Sequence, residues 1–189
     1  MKSPLELIKG FPGKPLHPPL TDASIGAYTV GVAMLVLGAL GVEEEQMAHG
    51  ALLAIGGGLA LALPTALTGL LDWLDIPSGT PARTTATVHL IAMLSATVLF
   101  ALAFVVHLDG YDDGTVAAGA LALGVAAEIV LTVGGYLGGT MVFHYGVRVL
   151  KRPDTRIADA LIPWRAEPPP AGEIQRGGES TGRGEPPPT

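Results

Sequence analysis

Four long apolar blocks alternate with short polar connections along this chain, over about residues 23–42, 46–73, 82–108 and 115–150. Each reaches the length of about twenty residues that crosses an approximately 30 Å hydrocarbon core. Composition agrees with lipid as the solvent: 49% of residues are hydrophobic and 15% charged, with a mean hydropathy of +0.46. Charged residues make up about a quarter of an ordinary soluble domain.

The charges are sorted by connection. All 11 Lys and Arg residues lie in the N-terminal arm, in or beside the 76–83 loop, or from Arg148 onward. The two opposite loops carry Glu43, Glu44, Glu45, Asp109, Asp112 and Asp113 and no basic residue. The positive-inside rule places both termini in the cytoplasm and the acidic loops outside. Short connections make sequential helices antiparallel, which predicts an all-α transmembrane up-down four-helix bundle over residues 22–150. An N-terminal arm, 1–21, precedes it. A tail, 151–189, follows, with Pro168-Pro169-Pro170 and Pro186-Pro187-Pro188 around a Gly, Glu and Arg mixture; it is expected to be mostly disordered. No signal-peptide core is visible before the first block, which is expected to serve as an uncleaved insertion signal.

Local signals refine the spans. Pro12, Pro15, Pro18 and Pro19 predict that regular helix starts only at Asp22, the expected N-cap. Gly56-Gly57-Gly58 and Pro64 predict one kinked second helix, ending near Trp73 at headgroup level. The fourth block is longer than one crossing needs, so it is expected to tilt or project.

Some chemistry is excluded. With no cysteine, the chain itself offers no disulfide, thiolate metal site or iron–sulfur ligand. No hydrolase triad, phosphate-binding loop or basic–aromatic nucleic-acid surface is present.

Antiparallel order brings distant polar residues to one level. His17, Asp22, Asp72, His89 and His144 with Arg148 all fall on the cytoplasmic side. His89 and His144 lie six and seven residues inside Arg83 and Lys151, about 10 Å deep at 1.5 Å per residue. Three readings compete. A haem b could sit between the third and fourth helices with His89 and His144 as axial ligands. A divalent metal ion could use His17, Asp22, Asp72, His89 and His144. Or the groups form hydrogen-bonded pairs, such as Asp72 with Arg83 or a histidine, that fix helix register. His49 and His107 form a second level-matched pair at the outer boundary. Glu128, the only acid inside an apolar run, shares a face with Thr132, Gly135 and Gly139 and is expected to point at packed protein, as a hydrogen-bonded carboxyl or a proton relay.

The stretch from Gly134 to Arg148 holds four glycines in two small-xxx-small pairs before His144. Such glycines let a second backbone approach closely. At about 100° per residue, His144 lies about 140° from Gly139 and 180° from Gly135, so the glycines and the histidine address different neighbours.

Pro15-Leu16-His17-Pro18-Pro19-Leu20-Thr21-Asp22 with Ile25-Gly26, then Leu67-Thr68-Gly69-Leu70-Leu71-Asp72-Trp73, His89, and Gly138-Gly139 to His144-Tyr145-Gly146-Val147 together resemble the predicted membrane-protein family known as domain of unknown function 2231. The resemblance runs from about Lys14 to Val149. It implies a four-helix protein of the bacterial inner membrane. Some relatives carry a Rieske-type iron–sulfur domain on the same chain, which implies redox company. This chain lacks such a domain, and Ala23-Ser24 replaces the family's usual apolar-Pro pair. The expected function is a redox-associated membrane module binding haem b or a metal ion, with a cofactor-free scaffold or partner-binding subunit as the alternative.

Overall fold

The computed structural model describes residues 4–11, 13–151, 153, 155 and 157–162. The Pro-rich stretch from Pro163 to Thr189 lies outside the described residues. An N-terminal strap comes first: helix α1 (Pro4–Lys9), then the two-residue strands β1 (Gly10–Phe11) and β2 (Lys14–Pro15) in an antiparallel pair. Helices α2 (His17–Ala39), α3 (Glu44–Asp75), α4 (Pro81–Val106) and α6 (Ala118–Phe143) are each long and apolar enough to cross a membrane. Short helices α5 (Leu108–Asp113) and α7 (Ile157–Leu161) complete the described chain. The fold is thus an all-α transmembrane four-helix bundle.

The helices pack as two hairpins. Contacts are densest between α2 and α3 and between α4 and α6, and sparser between the pairs. One end of the bundle carries Lys9, Lys14, Arg83 and Arg148 and is here the basic end; Glu43–Glu45 and Asp109–Asp113 mark the acidic end.

Helix α2 begins at His17, one and a half turns before the expected Asp22. Pro18 and Pro19 occupy its first turn, where a missing N–H breaks no hydrogen bond and a fixed φ suits the helix. Asp22 is therefore an exposed residue inside the helix, not its cap. Helix α3 is one continuous element through Pro64. Thr80 caps α4, its hydroxyl accepting from the Arg83 N–H at 3.2 Å. Helix α6 ends at Phe143 instead of running to 150: Gly146 takes a left-handed φ of 66°, and the Val147 N–H reaches back to the Met141 carbonyl at 2.9 Å. That return satisfies carbonyls that a helix end leaves open.

The tightly packed half lies towards the acidic end. Leu35, Ile55, Phe100, Ala51 and Ala120 are sealed from solvent there. Small residues allow the approach: a Cβ on Gly31 would meet Ile55 at 2.6 Å, and one on Gly38 would meet Val116 at 2.6 Å. Midway, Tyr28 stacks flat on Phe100 at 4.0 Å and fills the space left by Gly58, whose carbonyl accepts from the Ser24 hydroxyl at 2.9 Å.

Candidate functional site

Towards the basic end a cleft with a cavity volume of about 140 Å³ lies between the two hairpins. Tyr28, Leu131 and Thr97 line its inner part, His17, Thr65, Gly69, His89 and Gly138 its middle, and Asp72, Val147, Arg148 and Pro15 its outer part. Its walls are mostly apolar, so each polar group on them stands out.

His17 and His89 face one another across the cleft, one from each hairpin, with ring centroids 6.5 Å apart and planes at 84°. Both are seated the same way. His17 Nδ1 donates to the Thr65 carbonyl at 3.0 Å, and His89 Nδ1 donates to the Gly134 carbonyl at 2.8 Å. A carbonyl only accepts, so the proton of each neutral ring sits on Nδ1 and Nε2 carries the lone pair. A glycine makes room beside each ring: a Cβ on Gly69 would lie 2.6 Å from His17 Cε1, and one on Gly138 would lie 3.1 Å from His89 Cε1.

At the mouth, Arg148 Nε lies 2.9 Å from Asp72 Oδ1. The contact is an ion pair without hydrogen-bond alignment, since neither atom has a hydrogen-bond partner. The expected partner of Asp72 was Arg83 or a histidine. Arg83 instead lies 3.4 Å over the Trp73 ring and donates to the Trp73 and Ile76 carbonyls, the latter at 2.9 Å. The early end of α6 is the cause: the turn after it, in which Arg148 itself takes a φ of 61°, carries this guanidinium to Asp72.

The other anticipated residues are dispersed. His144 is exposed at the end of α6, its ring edge-on to Tyr145 at 4.8 Å, and it does not line the cleft. Asp22 is also exposed and outside the lining. Among the described residues no three His, Cys, Asp or Glu side chains converge as a metal site. His17, His89 and Asp72 share the cleft; His144 and Asp22 do not join them.

The glycine face also shifts. Gly134 and Gly138 meet Met93 and His89 of α4, whereas Gly135 has nothing within 4 Å. One residue is about 100° of helix rotation, enough to exchange the packed face for the outer one. Glu128 accepts from the Thr29 hydroxyl at 2.9 Å through Oε1, and its Oε2 is buried without a partner.

Sequence reasoning missed Tyr28 and Lys9. Tyr28 carries a buried hydroxyl that meets Thr97 without a well-aligned hydrogen bond. Lys9 pairs with Asp75 at 2.8 Å, and its carbonyl accepts from Arg148 Nη2 at 2.8 Å. Neither stands in a motif, and both act through residues far away in the chain.

The fold and cleft define a class: a multi-span membrane protein with a mostly apolar cleft between two helical hairpins. The chain belongs to the family described as "Predicted membrane protein (DUF2231)", which matches residues 13–151. No curated protein and no solved structure matches it.

Proposed function

We propose that this protein is a redox-associated module of the bacterial inner membrane in which His17 and His89 would hold one haem b between the hairpins. His89 keeps the role expected of it, and His17 takes the place given to His144. The carrying observation is the facing imidazole pair 6.5 Å apart. At about 2 Å per metal–nitrogen bond, two imidazoles on one metal have ring centres about 6 Å apart.

The donor set favours haem over a bare divalent ion. The macrocycle supplies four nitrogens, so iron needs only two from the protein. A zinc or manganese ion needs more protein ligands than two imidazoles. Each Nδ1–H held by a carbonyl fixes the ring and raises its basicity, as outer partners of ligating histidines do. The apolar walls suit a flat macrocycle, and Arg148 at the mouth suits its anionic edge. Haem b bound there supplies one-electron transfer. The cleft residues would hold it, orient it and keep water away. The distribution of Lys and Arg supports placing the basic end and both termini in the cytoplasm. A Rieske-type iron–sulfur protein is the kind of electron partner that the family resemblance implies.

The test is the visible spectrum of protein expressed with a haem precursor and purified in mild detergent. A Soret band lost in His17→Ala and in His89→Ala, and kept in His144→Ala, is the expected result. A colourless wild-type preparation refutes the haem reading. It favours the second reading, a cofactor-free scaffold, in which the ion pairs at the mouth tie the strap, α3 and the turn after α6 together.

A further inference from the structure

We infer that the N-terminal strap, Pro4–Pro15, is a releasable gate over the mouth of the cleft, latched by Arg148. The inference rests on reading the cleft as a ligand site, whatever the ligand.

The strap has a built return. Gly10 and Gly13 have φ of 83° and 71°, and a Cβ on Gly10 would lie 2.6 Å from the Lys14 carbonyl oxygen. Only glycine adopts such a turn at little cost. The fold-back sends α1 over the end of α3 and returns the chain to Pro15 on the cleft wall. Gly13 there packs 3.0 Å from the Leu150 side chain, measured from where its Cβ would stand.

The latch joins the two hairpins. The Lys9 ammonium binds the Asp75 carboxylate at the end of α3, with 2.8 Å to each oxygen. The Lys9 carbonyl accepts from Arg148 Nη2 at 2.8 Å, and the same guanidinium reaches Asp72 at 2.9 Å. One side chain, carried by the turn after α6, thus touches both the strap and α3 across the mouth. Two features make the latch releasable. The Lys9–Asp75 pair sits at the edge of the fold, with the Lys9 side chain 16% and the Asp75 side chain 50% exposed, and a partly exposed pair contributes little to stability. Arg148 sits in the left-handed region that a non-glycine residue occupies only under local constraint. Pro15 at the end of the strap and Arg148 both line the cleft, and the Lys9 carbonyl holds Arg148 there, so in this inference the strap governs the polar route to His17 and His89. With the strap released, the cleft opens at the basic end.

A cysteine reporter tests this in the full chain, which has no cysteine of its own. Ala86 lines the cleft and is 5% exposed. Ala86→Cys is made in cofactor-free protein in nanodiscs, and its rate of reaction with a small cationic methanethiosulfonate reagent is measured. Arg148→Met, which removes both latch contacts, should raise the rate about tenfold or more, as a shift in the opening equilibrium. Lys9→Met and Asp75→Asn leave the cleft walls untouched and should each raise it by a smaller factor, about two- to fivefold. Unchanged melting of the Lys9 and Asp75 variants would show that their gain is not unfolding. Equal rates in all four proteins, fast or slow, overturn the gate. The readout needs no haem, so a colourless protein with a strap-dependent rate sinks the cofactor alone. A Soret band with strap-independent rates sinks the gate alone.

Discussion

His107 and His89 give one ring nitrogen each to a backbone carbonyl of a neighbouring helix, and they differ in what the other nitrogen meets. His107, at the acidic end, is fully buried; its Nε2 donates to the Ala48 carbonyl at 3.0 Å, and its Nδ1 is closed in without a partner. A Cβ on Gly110 would lie 2.8 Å from that Nδ1. His49 does the same work nearby, with Nε2 on the Tyr111 carbonyl at 2.9 Å. His89 and His17 are tied through Nδ1 and line a cleft. The same anchor thus builds a sealed joint at one end and a cleft wall at the other. Packing around the ring decides between the two, and the histidine itself does not.

The largest contrast is in stability. Phe100 is 0% exposed and stacked on Tyr28, so Phe100→Ala should cost about 3–5 kcal/mol by the usual cavity penalty. Met141 is 7% exposed on the cleft wall. Met141→Ala only enlarges a space already present and should cost about 2 kcal/mol, the low end of such truncations. Unfolding in mixed micelles checks both; equal costs would erase the distinction between a sealed half and an open one.

Next is the fit around the two cleft histidines. Gly69→Ala should displace His17 and cut haem occupancy by about tenfold or more, the scale for disturbed outer-ligand support. Gly138→Ala should do so less, and Gly135→Ala should change nothing, since its position has open space within 4 Å. Haem-to-protein ratios in purified variants give the order.

A smaller effect concerns pH. Burial lowers the pKa of His107 from its ordinary 6.5, the Ala48 hydrogen bond opposing only in part. Below about 6.5 the unfolded chain then binds the proton more readily than the fold does, so stability rises with pH. The contribution is complete above 6.5 and falls as pH drops towards the lowered folded value, at no more than about 1.4 kcal/mol per unit. The difference in stability between wild type and His107→Gln, measured from pH 7.5 to 5, should shrink as pH falls. A difference that stays flat would mean the joint tolerates a charged ring.

The smallest expected change is at Tyr28. Its buried hydroxyl meets Thr97 without a well-aligned hydrogen bond, so Tyr28→Phe should cost no more than about 1 kcal/mol. A larger loss would show that the hydroxyl is bonded.

The spans, their order and the split into a basic and an acidic end were legible because they depend on block length and loop charge. His17, Asp72 and His89, which antiparallel order put on one side of the bundle, do line one cleft. Their partners were not. Asp72 meets Arg148 and not Arg83 because α6 stops at Phe143, and that stop depends on a left-handed Gly146 and a back-bonded Val147. His17 enters the site because Pro18 and Pro19 open a helix where prolines were expected to prevent one. The packed glycines are Gly134 and Gly138, one residue from the expected pair. Each miss is a rotation or a boundary of a few residues. Such small shifts leave a bundle intact and reassign which side chains meet.

The most direct test is electron paramagnetic resonance of the oxidised, haem-loaded protein. Two imidazoles on one iron predict a low-spin ferric signal that turns high-spin in His17→Ala and in His89→Ala and is unchanged in His144→Ala. A high-spin wild-type signal, or a low-spin signal that survives loss of His17, would contradict the facing pair as the site.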